Sequence, residues 1–517
     1  MPGSTHAPPR LDLDARLGGP VGRHARRGGL WFNPAPWALL LATLTWLATL
    51  LRHRPCQQYQ DGKPVDAFLR LCYSDIPLLY QNTLLGRGGM PFRDVPLDRP
   101  PLVGVLVLLS RGLATVFGAK PIDQATGQQM VDGAHLFFLT SAVLLFCCFL
   151  ALVGCALLLG RGSARGLAHS PSGRLRSWDA LLVAGAPGIL TGALVSWDLL
   201  AVALTAAGLL AWALRRQTAT GVLLGLAICA GFWPVLVLIG LGMLCLRAGR
   251  PSPWLTTAGW AALVWAAVNL PLMLSQPSGW TSFFTAWQRR GPDLGSVWFV
   301  LKAAGVQIPM LSTLVLVLML TWLAWVAHLV RRAPRRPRVG QVVFLLVAGW
   351  LLLNKVYSPQ QVLWLVLLVP LARPKVSDWA VWSAAEVFYC WAVWGHLGGQ
   401  LSPGDGSPDV LYWGAIGLRV LVLGWLVAQV RYDVLHPWLD PVRTPLVDDP
   451  IGGVLDHAVD RPLGAREGEL SLFGHAEEDP DPTVDPEAGG GAATDSADAA
   501  GPNDGDWPAR PRRGAPE

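Results

Sequence analysis

Residues 71–101, LCYSDIPLLYQNTLLGRGGMPFRDVPLDRPP, follow the first long apolar segment of the chain, and nearly everything after them is hydrophobic. Among the acidic residues of this stretch we single out Asp75 and Asp94, which lie in a loop between apolar segments. Ionisable groups at bilayer depth are expensive to place, and they are usually functional. We therefore expect the loop to carry the reactive groups of the protein and the apolar segments to hold the loop in place.

The composition is typical of a helical membrane protein. Of the 517 residues, 52% are hydrophobic and only 15% are charged, and the mean hydropathy is +0.39. A soluble domain carries about 25% charged residues, so this chain is short of water-facing surface. Repeated apolar runs approach the ~20 residues that a helix needs to cross a bilayer. The predicted fold class is therefore an all-α, polytopic membrane protein.

The net charge of +6 averages two unlike parts of the chain. Residues 431–517 contain 7 basic and 19 acidic residues, whereas the rest contains 34 basic and 16 acidic residues. The basic excess lies in the short loops of the membrane part, where Lys and Arg indicate which loops face the cytoplasm. Because no Lys/Arg patch is interleaved with aromatic residues, we expect no nucleic-acid partner.

The pattern predicts three parts and no cleavable signal peptide. They are a basic cytoplasmic tail over 1–33, a transmembrane domain over 34–430, and an acidic, mostly disordered cytoplasmic tail over 431–517. The first extracytoplasmic loop of the domain covers 52–134. About twelve spans are predicted, at about 36–51, 135–160, 178–195, 197–214, 219–232, 233–247, 254–274, 309–330, 341–354, 362–373, 377–396 and 410–430.

One apolar piece of the first loop, 102–118 (LVGVLVLLSRGLATVFG), is short and interrupted by Arg111. If it crosses the membrane, the basic runs within 161–176 and 331–338 face outside. If it lies in the interface, both runs become cytoplasmic, as the positive-inside rule prefers. We predict an interfacial helix, which makes both termini of this multi-pass plasma-membrane protein cytoplasmic.

The eight cysteines show no spacing typical of a metal site. Six lie in apolar segments, where cysteine usually acts as a small hydrophobic residue. The other two, Cys56 and Cys72, lie in the first loop. Because that loop is predicted to be outside the cytoplasm, we expect a disulfide between them.

On this topology, polar residues from distant parts of the chain face the outer side. A carboxylate there can act as a general base on a hydroxyl group, and Arg or Lys can hold a phosphate. No dense carboxylate cluster indicates a metal, so we predict none. The residues are Asp75, Asp94, His135, Asp198, Arg289, Arg290, Lys355, Tyr357, Gln360 and Gln361.

Several of these residues have a structural alternative. Asp75 precedes Ile76-Pro77 and is a candidate helix N-cap. Asp94 lies in a Pro-rich stretch and is a candidate turn former. The two arginines can face lipid headgroups, and Lys355 can extend to the interface. A lone histidine such as His135 is more often structural, and for Glu386, in an apolar helix, we prefer an inter-helix hydrogen bond.

The patterns YSDIPLLY, GRGGMPFRDVPLDRPPL, SWDLLAVAL, RRGPDLGSVWF and KVYSPQQVLWL resemble actinobacterial integral-membrane glycosyltransferases of the GT-C fold. The most similar group is glycosyltransferase family 87, whose members are polyprenyl-phosphate-mannose-dependent mannosyltransferases, and the resemblance covers about residues 36–430. It implies inverting transfer of a sugar, mannose as first choice, from a polyprenyl-phosphate donor to a glycolipid or polysaccharide acceptor of the cell envelope, on the extracytoplasmic face. No cofactor beyond this donor substrate is implied.

The resemblance also assigns roles to residues. Asp75 becomes the general base, and Arg289, Arg290 and Lys355 become candidates for holding the phosphate of the donor. The other outer residues, among them Asp94, Asp198 and His135, become candidates for substrate binding. One departure concerns Gly231 in CAGFWP, where relatives often carry a lysine. If that lysine binds phosphate, this chain uses another cation, accepts a different donor or is inactive.

Three functions remain open on the sequence. The first is the transferase. The second is a flippase or transporter for a lipid-linked sugar, which commonly shows paired internal repeats that we do not find. The third is a non-catalytic scaffold in an envelope-building complex, with the acidic tail binding a protein partner. The first-loop aspartate, the outer cations and the resemblance favour the transferase.

Overall fold

The structure is a computed structural model that describes residues 33–57, 59–60, 63–119, 127–160, 177–401, 409–443, 448–456 and 458–461. Every described residue belongs to the unit Met1–Leu470. The predicted N-terminal tail, except for Asn33, lies outside the described residues. So does the predicted C-terminal tail beyond residue 461.

Helices make up nearly all the regular structure of the described residues, which confirms the all-α class. The first nine are α1 Pro34–His53, α2 Asp75–Asn82, α3 Pro101–Val116, α4 Gly127–Leu159, α5 Ala180–Ala184, α6 Pro187–Gly192, α7 Asp198–Ala213, α8 Gln217–Ala230 and α9 Val235–Arg247. The next nine are α10 Pro251–Ser275, α11 Pro277–Arg289, α12 Val297–Ala303, α13 Leu311–Arg332, α14 Val339–Leu353, α15 Leu363–Val366, α16 Leu368–Ala372, α17 Val376–Leu397 and α18 Val410–Leu435.

Short elements fill parts of the connections. Two strands, β1 Tyr59–Gln60 and β2 Lys63–Pro64, form a small antiparallel pair in the first loop. The 3-10 helices of the described residues are Arg54–Gln57, Leu84–Arg87, Ser177–Asp179, Pro359–Val362, Pro437–Leu439 and Gly453–Leu455.

Within the described residues, five helices are long and apolar enough to cross a membrane: α1, α4, α10, α13 and α18. Six apolar helical segments are shorter, namely α3, α7, α8, α9, α14 and the region Pro359–Ala372. A chain with this many apolar helices fits a membrane-embedded protein, as the composition predicts. The predicted number of about twelve spans stays a prediction.

The predicted span at 178–195 is not one helix but the pair α5 and α6, with a break before Pro187. Proline has no amide hydrogen and disfavours helical geometry in the residue before it. Ala186 accordingly has an extended backbone, with φ −64° and ψ 122°. The predicted span at 178–195 therefore stays a prediction, and its backbone is not one continuous helix.

The predicted span at 362–373 begins at the end of the 3-10 helix Pro359–Val362 and continues as α15 and α16, with helical backbone at Leu367 between them. It packs against the broken segment at 178–195, since a Cβ on Gly188 would lie 2.9 Å from the Val362 side chain. A Cβ on Gly192 would likewise lie 3.3 Å from the Gln360 Cα. Irregular backbone at membrane depth is tolerated where protein surrounds it, and this packing provides that environment.

Short turns join many consecutive helices, so the loops collect at two ends of the bundle. We define the open end as the loops at 71–100, 193–197, 231–234, 290–296 and 354–361. The closed end comprises the loops at 214–216, 248–250, 333–338 and 373–375, together with residues 436–443, 448–456 and 458–461.

Two hydrophobic clusters lie between and beside these ends. The larger one fills the bundle and includes fully buried side chains such as Phe137, Trp212 and Phe344. The smaller one gathers Val195, Tyr389 and Tyr412, with partly buried Tyr73 and Leu294 packed against it, among others. It therefore joins the first loop to four other parts of the chain: the turn after α6, the loop at 290–296, α17 and α18.

The boundary predicted for the C-terminal tail lies inside α18, which continues to Leu435. Residues beyond it cross the closed end, where Asp440 accepts hydrogen bonds from Arg338 Nε (2.8 Å) and Asp460 accepts from Arg247 Nε (2.6 Å). The described part of the tail is therefore folded. Its carboxylates pair with arginines about a hundred or more positions earlier, which composition alone does not reveal.

Candidate active site

The start of α2 is attached to the turn that follows α6. Ser74 Oγ donates to the Leu194 carbonyl (2.6 Å), and the Asp75 amide donates to the Val195 carbonyl (2.9 Å). Ser74 Oγ also accepts a hydrogen bond from the Ile76 amide (3.2 Å), so Ser74 is the N-cap of the helix. The N-cap alternative for Asp75 is therefore wrong, and its carboxylate is left for other contacts.

The preceding part of the first loop is anchored to the bundle by a covalent bond and by Arg52. The disulfide between Cys56 and Cys72 is present, as the sequence predicts. Arg52 donates to the Leu71 carbonyl from Nη1 (2.6 Å) and to the Thr191 carbonyl from Nη2 (3.2 Å). These contacts hold the backbone just before Asp75 against the end of α6.

One guanidinium joins two of the predicted carboxylates. Arg99 Nη2 donates to Asp75 Oδ2 (3.0 Å), and Arg99 Nη1 lies 3.7 Å from Asp198 Oδ2. The side chains of Arg99, Asp75 and Asp198 are 30%, 32% and 15% exposed. The group is therefore held in place by its charges while Asp75 remains open to a ligand. We call it the carboxylate triad.

Neighbouring side chains fix both carboxylates of the triad. The Tyr73 hydroxyl donates to Asp75 Oδ1 (2.9 Å), and burial followed by the nearby Asp75 charge raises the pKa of Tyr73. This phenol therefore stays protonated as a donor at neutral pH. Ser196 Oγ donates to Asp198 Oδ2, and Trp364 Nε1 donates to Asp198 Oδ1 (3.1 Å).

A second charged group lies where α11 meets the loop after α14. Lys355 is 1% exposed, and its Nζ donates to Ser312 Oγ (2.7 Å) and to the Gln288 carbonyl (3.3 Å). The same Nζ lies 4.3 Å from the centroid of the Trp287 ring. Burial, with a smaller effect of Arg290, lowers the pKa of Lys355.

Two exposed arginines stand at the end of α11, and together with Lys355 we call them the cation group: Arg289, Arg290 and Lys355. Arg290 Nε lies 3.7 Å from Asp293 Oδ2, and the Asp293 amide donates to the Lys355 carbonyl (2.9 Å). Among the described contacts, Asp293 is the carboxylate that pairs with this group. Three cations against one carboxylate favour binding of an anion.

Tyr357, predicted to bind substrate, lies in a buried cluster instead of an open loop. Its hydroxyl donates to Glu386 Oε1 (3.2 Å), and Arg419 lies 3.4 Å over its ring. Arg419 Nη2 in turn lies 2.8 Å from Glu386 Oε2, which ties α17 to α18. These contacts agree with the inter-helix interpretation of Glu386, and sequence reasoning did not identify Arg419.

Asp94 has the contacts of a turn former. It accepts a hydrogen bond from the Met90 amide (2.9 Å) and pairs with the exposed Arg93 next to it (2.9 Å). Its described contacts do not include a member of the carboxylate triad.

The remaining three predicted residues lie apart from the two charged groups in the described contacts. His135 lies in α4, and its buried Nδ1 has no hydrogen-bond partner among the described residues. Gln361 Oε1 is likewise buried without a described partner. Gln360 packs its backbone near Gly192 of α6.

Sequence reasoning missed Arg99, although it stands in the first-loop stretch as DRPP. Its long-range pairing with Asp75 and Asp198 is not visible in the local sequence. The cleft beside the turn after α8 is lined by Arg99 and Phe232, next to Gly231. A cation is therefore present beside the position at which the resemblance leads us to expect a lysine.

A comparison with models of known protein families finds no match for this chain, and a comparison with curated proteins finds none either. The resemblance to the GT-C glycosyltransferases therefore stays a hypothesis. Among the described residues, no group of three or more His, Cys, Asp or Glu side chains is placed to hold a metal ion.

Proposed function

We propose that this chain is a membrane glycosyltransferase of the GT-C fold, similar to family 87. It transfers a sugar, mannose as first choice, from a polyprenyl-phosphate donor to a glycolipid or polysaccharide acceptor of the cell envelope. The observation that carries the proposal is the carboxylate triad, in which Asp75 is oriented by Tyr73 and Arg99 yet 32% exposed. The cation group supports it, since the reaction releases a lipid phosphate.

The proposal places the open end outside the plasma membrane and the closed end in the cytoplasm. The chain then makes about twelve passes, with α3 in the interface and both termini cytoplasmic. Two observations support this orientation. The disulfide lies at the open end, as expected of an oxidising compartment. The loops of the closed end contain Arg335, Arg336 and Arg338, as the positive-inside rule prefers.

The chemical step begins with the acceptor hydroxyl, which donates a hydrogen bond to the exposed carboxylate of Asp75. As the hydroxyl oxygen attacks the anomeric carbon of the donor, its proton passes to Asp75. The bond between the anomeric carbon and the phosphate oxygen breaks, and the polyprenyl phosphate leaves with the electron pair. Attack from the face opposite the leaving group inverts the anomeric configuration.

The carboxylate triad and the cation group match the two charges that develop in this step, which are positive on the sugar ring and negative on the leaving phosphate. Glycosyl transfer passes through a transition state with positive charge on the sugar ring. The triad carries two carboxylates against one guanidinium, so it stabilises that positive charge. The cation group binds the phosphate, whose negative charge grows as it leaves. This division needs no metal ion, and we expect a chelator to leave transfer unchanged.

The test is sugar transfer by the purified full-length protein. Radiolabelled polyprenyl-phosphate mannose and an envelope lipid extract are supplied to wild type, to Asp75→Asn and to Asp94→Asn. We expect transfer by wild type and Asp94→Asn, and loss of transfer in a normally folded Asp75→Asn. Equal transfer by all three would show that Asp75 is not the base. No transfer from any lipid-linked sugar would favour a flippase or a scaffold.

A further inference from the structure

The first loop contains a short turn that packs on the end of α17. Asp66 Oδ1 accepts hydrogen bonds from the Phe68 amide (2.9 Å) and from the Leu69 amide (3.2 Å), which shape the turn. A Cβ on Gly398, the residue after α17, would lie 3.4 Å from the Phe68 Cβ. The turn therefore lies directly against the end of this helix.

Three aromatic rings meet where the turn contacts α17, and we call them the aromatic group: Phe68, Tyr73 and Trp394. The ring centroids of Phe68 and Tyr73 are 5.2 Å apart, and those of Tyr73 and Trp394 are 5.1 Å apart. Phe68 and Trp394 complete the group at 6.0 Å. Since aromatic rings attract one another at such distances, Tyr73 is held by one ring of its own loop and by one ring of α17.

The position of Tyr73 decides one contact of Asp75. The Tyr73 hydroxyl donates to Asp75 Oδ1 (2.9 Å), whereas Arg99 Nη2 donates to Asp75 Oδ2 (3.0 Å). The two donors bind different oxygens and together fix the plane of the carboxylate. Because a shift of the Tyr73 ring would break its contacts in the aromatic group, that group fixes the carboxylate through the phenol.

The disulfide closes the segment that carries the turn. It ends at Cys72, spans 16 positions and has Phe68 inside it. Leu71 has φ 56°, a left-handed conformation that is unfavourable for a residue with a bulky side chain. Such a conformation persists where its surroundings impose it, and the disulfide and the hydrogen bond from Arg52 to the Leu71 carbonyl do so here. Cleavage of the disulfide therefore allows the backbone before Tyr73 to relax.

We propose that the Cys56–Cys72 disulfide and Tyr73 position Asp75, so that transfer is fast only while the disulfide is formed. The inference rests on the proposed function, which makes Asp75 the general base. Tyr73 is a positioning residue, because it acts on the substrate through Asp75. In the oxidised protein the turn holds the aromatic group, and the phenol keeps the carboxylate in one orientation toward the acceptor hydroxyl. In the reduced protein Phe68 leaves the group, and Asp75 loses that orientation.

Kinetics of the purified full-length protein separate positioning from a general loss of structure. Tyr73→Phe keeps the ring and removes the hydroxyl, so kcat should fall about tenfold, with little change in KM or in the thermal midpoint. The matched control Tyr80→Phe removes another first-loop hydroxyl, which faces Gly133 of α4, and should keep the kcat of wild type. Unchanged kcat in Tyr73→Phe would overturn the inference.

Reduction tests whether the disulfide acts through Tyr73. Dithiothreitol converts the disulfide to two thiols and becomes a cyclic disulfide itself. Reduction of wild type should lower kcat about tenfold per folded molecule, and reoxidation should restore it. In Tyr73→Phe, reduction should cause little further loss, because both changes remove the same contact. Losses that multiply to about a hundredfold, or unchanged kcat in reduced wild type, would overturn the inference.

Amide hydrogen exchange tests the inference without any transfer. The Cys72 amide donates to the Ala67 carbonyl (3.0 Å), and such bonds slow exchange while the turn is closed. Reduction should speed exchange in peptides that cover 66–75 and leave 448–456 at the closed end unchanged. Unchanged exchange over 66–75 would overturn the inference. Faster exchange there, with no transfer by oxidised wild type, would uphold the placement of the turn by the disulfide and count against the proposed function.

Discussion

Two ion pairs, one at each end of this bundle, differ in how far they are exposed to solvent. At the closed end, Arg338 and Asp440 form a two-point contact, Nε to Oδ2 at 2.8 Å and Nη2 to Oδ1 at 3.1 Å, with side chains 1% and 0% exposed. At the open end, Arg99 and Asp75 are joined by one hydrogen bond of 3.0 Å and are about a third exposed. The same residue types are sealed in one place and accessible in the other.

This difference separates charges that support the fold from charges available to a ligand. Removing one partner of a buried ion pair leaves an uncompensated charge and costs about 3–5 kcal/mol. An exposed pair contributes only about 0–1 kcal/mol to stability. Substitutions in the Arg338–Asp440 pair should therefore change folding, and substitutions in the Arg99–Asp75 pair should change activity.

The largest effect is expected from deleting residues 436–517. The deletion removes Asp440 and Asp460, and it leaves Arg338 and Arg247 buried without their carboxylates. Two such losses, at about 3–5 kcal/mol each, approach the whole stability of an ordinary protein, about 5–15 kcal/mol. We expect no monodisperse protein in size-exclusion chromatography.

The matched control deletes only residues 462–517 and keeps the closed-end contacts. It should elute as the full-length protein does. If the long deletion also elutes normally, the closed end does not depend on these ion pairs.

The next effect concerns the covalent bond of the open end. In Cys56→Ser/Cys72→Ser, loss of a disulfide with a sequence separation of 16 should lower the free energy of unfolding by about 3 kcal/mol. Thermal unfolding of the variant should match that of reduced wild type, with a midpoint below that of oxidised wild type. Cys147→Ser, at an exposed free cysteine, is the control and should unfold as wild type does. A midpoint insensitive to reduction would contradict the expectation.

Arg99→Gln should lower kcat/KM for sugar transfer by about 10- to 100-fold. A hydrogen bond to a charged group is worth about 1.5–3 kcal/mol, and each 1.36 kcal/mol is about tenfold in rate. Its thermal stability should stay close to that of wild type, because the pair is partly exposed. Arg93→Gln, in the exposed pair with Asp94 of the same loop, is the control and should keep full activity. Equal activity of both variants would remove Arg99 from the site.

The smallest effect is expected for Lys355→Gln. Losing one of three cations should raise the KM for the lipid-phosphate donor by about tenfold, or about 1.4 kcal/mol, with little change in kcat. Lys302→Gln, at an exposed lysine of α12, should leave both constants unchanged. A fall in kcat without a change in KM would place Lys355 at the chemical step instead of in donor binding.

The fold class was predictable from the sequence because repeated apolar runs indicate membrane-embedded helices. The break before Pro187 was not predicted, although the proline marks it. The apolar composition of 178–195 indicates one span, whereas the backbone is broken there and packs against the region Pro359–Ala372. Hydropathy measures how apolar a segment is, and it does not measure whether its helix is continuous.

The site was predictable only in part. Asp75 and the cations could be selected from the sequence because they are charged residues beside apolar segments. Arg99 could not be selected, because its role depends on Asp198, which lies 99 positions later. For the same reason the sequence did not predict that the described part of the C-terminal tail is folded. Its acidic composition is typical of disorder, and its arginine partners lie far away in the sequence. Long-range charge pairing is a property of the fold that a single sequence does not display.

The most direct test of this account applies one kind of substitution to both ends. Asp75→Asn and Asp440→Asn each replace a carboxylate by an amide of the same size, and both are measured for sugar transfer per folded molecule and for thermal stability. The account predicts that Asp75→Asn loses transfer by about 10²- to 10⁴-fold and keeps its stability. Asp440→Asn should lose about 3–5 kcal/mol of stability and transfer normally when folded. Lost transfer in folded Asp440→Asn, or full transfer in Asp75→Asn, would contradict the division between the two ends.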